Sequence, residues 1–256
     1  MSEIPAVHLS PDVAMPMLGF GTWQIQGQRA YDAVRHALAV GYRHIDTATM
    51  YRNEAEVGRA LADSGLDRGE VFLTTKLPPG NAGRARATIT ESLRALGTDY
   101  VDLWLIHWPP RSRLSVPLWQ EFLAARDEGL CRAVGVSNYS LPLIDELIAA
   151  TGQWPAVNQV PWSPSRYDLA LLAGHADRVV AVEGYSPLAG TRLRDRVLTE
   201  IAAAHGVTPA QVVLRWHLEL GVIVIPKSVH PERIDENFNL FTFTLTRDEV
   251  TRINHL

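Results

Sequence analysis

Eight short apolar runs, each followed by a longer segment of helical pattern, limit what this sequence can fold into. The runs are "MLGFG", "HIDTA", "VFLTTKL", "VDLWLIHW", "CRAVGVSN", "AVNQV", "VVAVEGYSP" and "VIVIPKS". Most are continuously hydrophobic rather than alternating, the pattern of strands covered on both faces, hence of a parallel sheet flanked by helices. Starts near 44, 71, 101, 131 and 156 recur at roughly one strand–helix unit each.

The intervening helices have readable ends. Asn53 stands where it can cap a helix carrying Glu54, Val57 and Leu61 and stopping near Gly65; Asn81 or Gly80 precedes "RARATITESLRAL", which stops at Gly97. Thr208-Pro209 opens "AQVVLRWHLEL", and Thr246 opens "TRDEVTRI". The start, "AVHLSPDVAMPML", reads as a hairpin turned at "SPDV". Eight such units without a linker predict an α/β fold: one closed (β/α)8 TIM barrel over residues 1–256, with an N-terminal hairpin and extra C-terminal helices. The length of 256 residues suits that barrel, for which ~250 is typical. A doubly wound open sheet is the rival.

Composition narrows the partners. With 46% hydrophobic and 20% charged residues, the chain can bury a large core. A formal charge of −4 and no basic run argue against nucleic acid or an anionic membrane. The start "MSEIPAVHLS" lacks the cationic and apolar parts of a leader, and no apolar stretch approaches the ~20 residues of a membrane span. The single cysteine, Cys131, forbids an intrachain disulfide and reads as a packing residue. A cytoplasmic monomer acting on a small molecule is the default, with no metal invoked.

Barrel enzymes carry their reactive groups at the carboxyl ends of the strands. Asp46 ends the second run, Lys76 falls at the end of the third and His107 at the end of the fourth, with Tyr51 in the loop after the second. Singly, each has an ordinary reading as a capping carboxylate, a snorkelling cation, a satisfied core imidazole or a packed ring. Together, on three successive strand ends, they suit proton donation to an oxygen that gains negative charge. Tyrosine is a poor donor near neutrality, with an unperturbed pKa of ~10. A lysine ~4 Å away at an effective dielectric of ~20 supplies ~4 kcal/mol toward lowering it. Asp46 would hold Lys76 charged, and His107 would orient a carbonyl; hydride reduction of a carbonyl needs such a set. A Schiff-base lyase using Lys76 or Lys227 is less consistent, because that amine needs a depressed pKa and Asp46 would raise it.

For a hydride donor, "GFGTWQ" is a poor dinucleotide fingerprint, since Gln24 stands where the third glycine belongs. "IPKSVHPERIDEN" is better: Lys227 and Ser228 end the eighth run, Pro231 begins a helix and Arg233 lies on its first turn. That places two cations and a hydroxyl at a helix start, as a phosphate monoester requires. The competing reading pairs Arg233 with Glu236 on an exposed helix.

"GYRHIDTATMYRNEAEVG" resembles the signature of the aldo-keto reductase superfamily. The resemblance continues through "LGFGTW", "LIHWP", "GVSN", "VNQV", "IPKS" and "PERIDEN", and is nearest to short-tailed prokaryotic members such as diketogluconate reductases. It implies Tyr51 as general acid, with Asp46, Lys76 and His107 completing a tetrad. It implies NADPH as cofactor, with Lys227, Ser228 and Arg233 on the 2′-phosphate and Glu236 and Asn237 near the adenine. Ser137, Asn138 and Gln159 would clamp the carboxamide and Tyr185 stack on the nicotinamide. The backbone of Ser186–Leu188 would approach the pyrophosphate, and Thr22, Trp23 and Asp46 complete the cofactor set. Trp23, Met50, Tyr51, His107 and Trp108 would form the substrate wall, with Trp162 a further candidate. An NADPH-binding sensor without turnover is the non-enzymatic alternative.

Some features depart from the family. Pro161, Trp162 and Ser163 replace a common glutamate and His-Pro, His230 stands at a helix cap where threonine is usual, and "SPLAGTRLRDRV" is compact. Only Asn254, His255 and Leu256 follow Ile253, and the loop after "LIHW" is brief, so an open, weakly selective cleft is expected.

Overall fold

A computed structural model of the chain describes residues 4–110 and 115–256. The loop expected to be brief after "LIHW" includes residues 111–114, and the start examined for a leader includes residues 1–3; both stretches lie outside the described residues. The chain begins with an antiparallel hairpin, β1 (Ala6–Ser10) and β2 (Val13–Pro16), turned at Pro11-Asp12 as its sequence predicts.

Eight strands follow in one parallel sheet: β3 (Phe20–Gly21), β4 (His44–Asp46), β5 (Phe72–Leu77), β6 (Val101–Ile106), β7 (Cys131–Ser137), β8 (Val157–Pro161), β9 (Ala181–Tyr185) and β10 (Ile223–Val224). Each pairs with its neighbours in the chain. The sheet's two ends meet through backbone bonds: Gly19 N–H donates to Val224 O (2.9 Å), Val224 N–H to Met17 O (2.9 Å) and Gly21 N–H to Pro226 O (3.0 Å). This closure makes a (β/α)8 barrel and removes the open doubly wound rival, whose strand order reverses at a switch point. A Cβ added to Gly21 would stand 3.0 Å from Ile225 O, so the seam itself favours glycine.

Among the described residues ten helices accompany the strands: α1 (Gln28–Val40), α2 (Glu54–Ala62), α3 (Ala85–Leu96), α4 (Ser115–Asp127), α5 (Leu141–Thr151), α6 (Leu169–Ala176), α7 (Arg196–His205), α8 (Pro209–Glu219), α9 (Pro231–Phe238) and α10 (Arg247–Ile253). Thr208 and Thr246 cap α8 and α10 in reciprocal boxes with Gln211 and Glu249. Two expected caps differ. Asn53 precedes α2 but does not cap it, because its amide donates to Thr22 O (2.9 Å) and Ile25 O (2.8 Å) and accepts from Thr47 Oγ1 (2.7 Å). Residues Pro79–Arg84 form a 3-10 turn, so α3 starts at Ala85 with Arg84, not Asn81 or Gly80, at its cap position.

The barrel is plugged at one end. Val13 and Met15 of the hairpin are buried with Phe72, Leu103, Leu105, Ala133, Val157 and Ile223. Outside the sheet, Trp104 of β6 stacks on Phe122 of α4, ring centroids 3.6 Å apart and nearly parallel at 5°. With that end sealed by apolar side chains, the cavity opens at the carboxyl ends of the strands. Among the described residues no single helix is long and apolar enough to cross a membrane.

Candidate active site

Four ionisable side chains meet at that rim. Asp46 is the last residue of β4, Lys76 the next-to-last of β5, His107 the first beyond β6, and Tyr51 ends a 3-10 turn (Thr49–Tyr51) after β4. Parallel register delivers them together, since Asp46 pairs with Thr74 and Lys76 with Leu105. Lys76 is fully buried, and its Nζ donates to Asp46 Oδ1 (2.6 Å), Asp46 Oδ2 (2.7 Å) and Thr47 O (2.8 Å). All three of its protons are thus directed, the condition under which a buried ammonium is tolerated. Thr22 fixes the other side of Asp46, its N–H and Oγ1 both donating to Asp46 O.

Lys76 Nζ lies 5.1 Å from the Tyr51 ring centroid, and the Tyr51 and His107 rings meet edge-on at 5.7 Å and 77°. Burial penalises the Lys76 charge, but Asp46 and then Tyr51 more than restore it, so Lys76 is held above the ordinary lysine range. Tyr51 departs from expectation. Burial pushes its phenol up, and the opposing pull of Lys76 does not prevail because the Asp46 charge pushes it up as well. Tyr51 therefore keeps its proton through neutral pH. His107 is pushed down to about 3, first by burial and then by Lys76, so its imidazole is neutral. Neither His107 nitrogen bonds to a described residue, and the buried Nδ1 is an orphan.

A cavity of ≈ 570 Å³ opens over this group. Asp46, Tyr51 and His107 line its floor, while Trp23, Met50 and Trp108, each about half exposed, stand around its mouth. It runs on past Ser137, Asn138, Gln159, Tyr185, Ser186 and Leu188 to Lys227 and Asn237. Trp162 is not part of the wall. Fully buried, it stacks on Trp216 (6.3 Å, 17°) and meets Tyr167 edge-on, so the Pro161–Ser163 departure serves the core.

The walls suit a nicotinamide cofactor at its carboxamide end. Asn138, held at φ +62°, donates to His107 O (3.0 Å) and Ser137 Oγ (2.9 Å), and its Oδ1 accepts from Tyr185 Oη (2.8 Å). Ser137 Oγ donates to Gln159 O (2.9 Å). Gln159 Nε2 donates to Asp46 Oδ2 (2.9 Å) and Glu183 Oε2 (2.8 Å). The donors are therefore occupied and what remains is acceptor capacity, on Gln159 Oε1 and the second lone pair of Asn138 Oδ1. An amide –NH2 matches that remainder. Ser186, at φ +53°, turns the backbone along the cavity beside Leu188.

At the far end Lys227 is exposed; Arg233, in the first turn of α9 and outside the cavity lining, is exposed too, and neither pairs with an acid among the described residues. Arg233 does not pair with Glu236, whose Oε1 instead accepts from Thr208 Oγ1 (2.5 Å). His230 makes no side-chain cap to α9, Pro231 carries no N–H and the Arg233 N–H donates to His230 O (3.1 Å), so the Glu232 N–H is the one left at this helix start. The buried Ser228 Oγ folds back on His230, accepting from His230 N at 3.1 Å. Thr22 and Glu236 likewise hold the protein together and do not line the cavity. Reading the sequence alone passes over Glu183, fully buried on β9 beside Gln159; its signal is a lone charge inside "VVAVEGYSP". Gln24, Gln26, Ile225 and Pro226 also line the cavity, with no local pattern to mark them.

The sequence profile of the Aldo/keto reductase family matches residues 17–256. The chain is 43% identical to "Methylglyoxal reductase DkgA" of Yersinia pestis over 100% of this chain and 94% of that one. Among solved structures, the aldo/keto reductase from Brucella melitensis superposes with a TM-score of 0.95 at 43% identity, covering 98% of this chain and 99% of that one. The Bombyx mori aldo-keto reductase in complex with NADP superposes at 0.93 with 33% identity, covering 99% and 93%.

Proposed function

The chain belongs to the aldo/keto reductase family, and on that premise we propose that it reduces small aldehydes and activated ketones to alcohols, with NADPH as the hydride source. The observation that carries this reading is the buried Asp46–Lys76 pair beneath Tyr51 and neutral His107, on the floor of a cavity that extends to Lys227, a cation with no acidic partner among the described residues. Reduced nicotinamide, when bound, supplies a hydride. The residues supply the rest.

Asn138 and Gln159 present acceptors to the carboxamide, Ser137 holds Asn138 in place, and the half-buried Tyr185 ring lies along the same wall. Lys227, Arg233 and the start of α9 hold the 2′-phosphate, and Ser228 shapes the turn that places them. Asn237 lies on the cavity wall where the adenine half would run. A carbonyl oxygen placed between Tyr51 Oη and the unpartnered imidazole of His107 receives two hydrogen bonds. As negative charge grows on that oxygen, Tyr51 gives up its proton, and the Lys76 charge stabilises the phenolate left behind. Trp23, Met50 and Trp108 bound the substrate side with apolar surface, which discriminates weakly between small carbonyls, by ~1–3 kcal/mol per methylene.

The test is NADPH oxidation followed by absorbance with methylglyoxal first, then a panel of aldehydes and ketones. Turnover of several of them is expected. Tyr51→Phe should bind NADPH as the parent does while losing most of the reduction, because the ring remains and only the donor goes. Near-parental kcat in that variant would remove Tyr51 from the role of acid.

A further inference from the structure

Glu183 is a fully buried carboxyl that the chemistry above does not use. It sits on β9 in register with Gln159 of β8, so both side chains face the barrel interior. The single amide nitrogen of Gln159 divides its two hydrogens between Asp46 Oδ2 (2.9 Å) and Glu183 Oε2 (2.8 Å). The other carboxyl oxygen, Oε1, has no partner at ordinary hydrogen-bond geometry and lies 3.5 Å from His44 Nε2. His44 Nδ1 stands 3.2 Å from Pro16 O. A carbonyl oxygen only accepts, so Nδ1 carries the ring hydrogen. Burial holds the ring neutral, down at about 4, and its Nε2 is consequently an acceptor, 3.5 Å from both Glu183 Oε1 and the Thr74 hydroxyl.

The groups facing Glu183 are His44 and Asp46 on β4, Lys76 on β5 and Gln159 on β8, with Tyr51 within electrostatic reach; its partner in register on β10 is apolar Ile223. Lys76 is the only cation in that set, and Asp46 already neutralises it at 2.6 Å. A second carboxylate on the same amide would leave an uncompensated charge in a dry interior, which is strongly disfavoured.

We propose that Glu183 is a positioning residue held as a neutral carboxylic acid: it accepts one hydrogen of the Gln159 amide, directs its own proton at His44 Nε2, and so fixes the Asp46 carboxylate that orients Lys76. The direction of its titration agrees, since burial and then Asp46 push it up to about 8. Ionisation of Glu183 would add a negative charge that raises Tyr51 further. The link to turnover rests on the proposed carbonyl reduction; the protonation state does not.

Two measurements test this. Infrared spectroscopy of the wild-type protein should show a protonated-carboxyl C=O band at neutral pH that titrates away at alkaline pH and is missing from Glu183→Gln. Absence of such a band in the wild type, or its persistence in the variant, overturns the proposal whether or not the protein turns over. In alcohol oxidation, where the Tyr51 phenolate acts as base, Glu183→Gln should move the alkaline pKa down by about one unit, a tenfold change in ionisation constant. Glu183→Leu, which strips Gln159 of one partner, should lose at least about tenfold in kcat/KM, and Gln at 183 should recover most of it. Equal loss in both variants with an unmoved pH profile would mean that Glu183 only fills space, and would overturn the positioning role.

Discussion

Replacing Lys76 by Met is the most informative single perturbation, because it strips Asp46 of a partner while conserving volume. Lys76 and Asp46 are 0% and 2% exposed and share two hydrogen bonds of 2.6 and 2.7 Å. Removing one member of a buried pair costs about 3–5 kcal/mol, since the remaining charge is left uncompensated. For a chain of this size each kcal/mol moves Tm by about 2–4 °C, so a fall of roughly 6–20 °C at pH 7 is expected by scanning calorimetry. The loss should shrink as pH falls, because the stranded carboxylate escapes its penalty by taking up a proton. The rate changes for a separate reason. A unit charge 5.1 Å from the Tyr51 ring contributes about 3 kcal/mol at an effective dielectric of ~20. Its removal should slow carbonyl reduction by on the order of 100-fold. The double variant Asp46→Asn/Lys76→Met removes both charges and should regain much of the stability but not the rate. A Lys76→Met protein as stable as its parent, or a double variant less stable than the single one, would refute the pairing argument.

Arg233→Ala should weaken NADPH binding by about 1.5–3 kcal/mol, roughly 10- to 100-fold, while leaving NADH nearly unchanged; fluorescence titration with each cofactor measures it, and equal losses would place the 2′-phosphate elsewhere. For reduction, kcat/KM should be flat from about pH 5 to 8: His107 stays neutral down to about 3, and Tyr51, raised by burial, keeps its proton through neutrality. The rate should fall only in the alkaline range, as the acid loses its proton, and an acidic limb between pH 6 and 7 would contradict a neutral His107.

Much of this protein can be read from its residues in order. Continuous apolar runs between helical segments predicted eight covered parallel strands, and strands appear at His44, Phe72, Val101, Cys131 and Val157, close to the expected starts. Asp46, Lys76 and His107 stood out because polar groups at the ends of buried strands need a reason. Capping chemistry marked Thr208 and Thr246 because those bonds close within four residues. What the order of residues does not contain is the consequence of closure. Whether Asn53 caps a helix or ties down the Thr22–Ile25 loop depends on a partner 31 residues away, and Trp162 could have faced a pocket as readily as Trp216. The direction of the Tyr51 shift is a competition between burial, Lys76 and Asp46 that only their assembled positions resolve. The Asp46–Gln159 bond spans 113 positions, and Glu183 enters the site only because β8 and β9 lie in register on a curved sheet. Local propensity and hydrophobic period act over a few residues and are written in the chain; burial and long-range polar pairing exist only once eight strands have closed around a common interior.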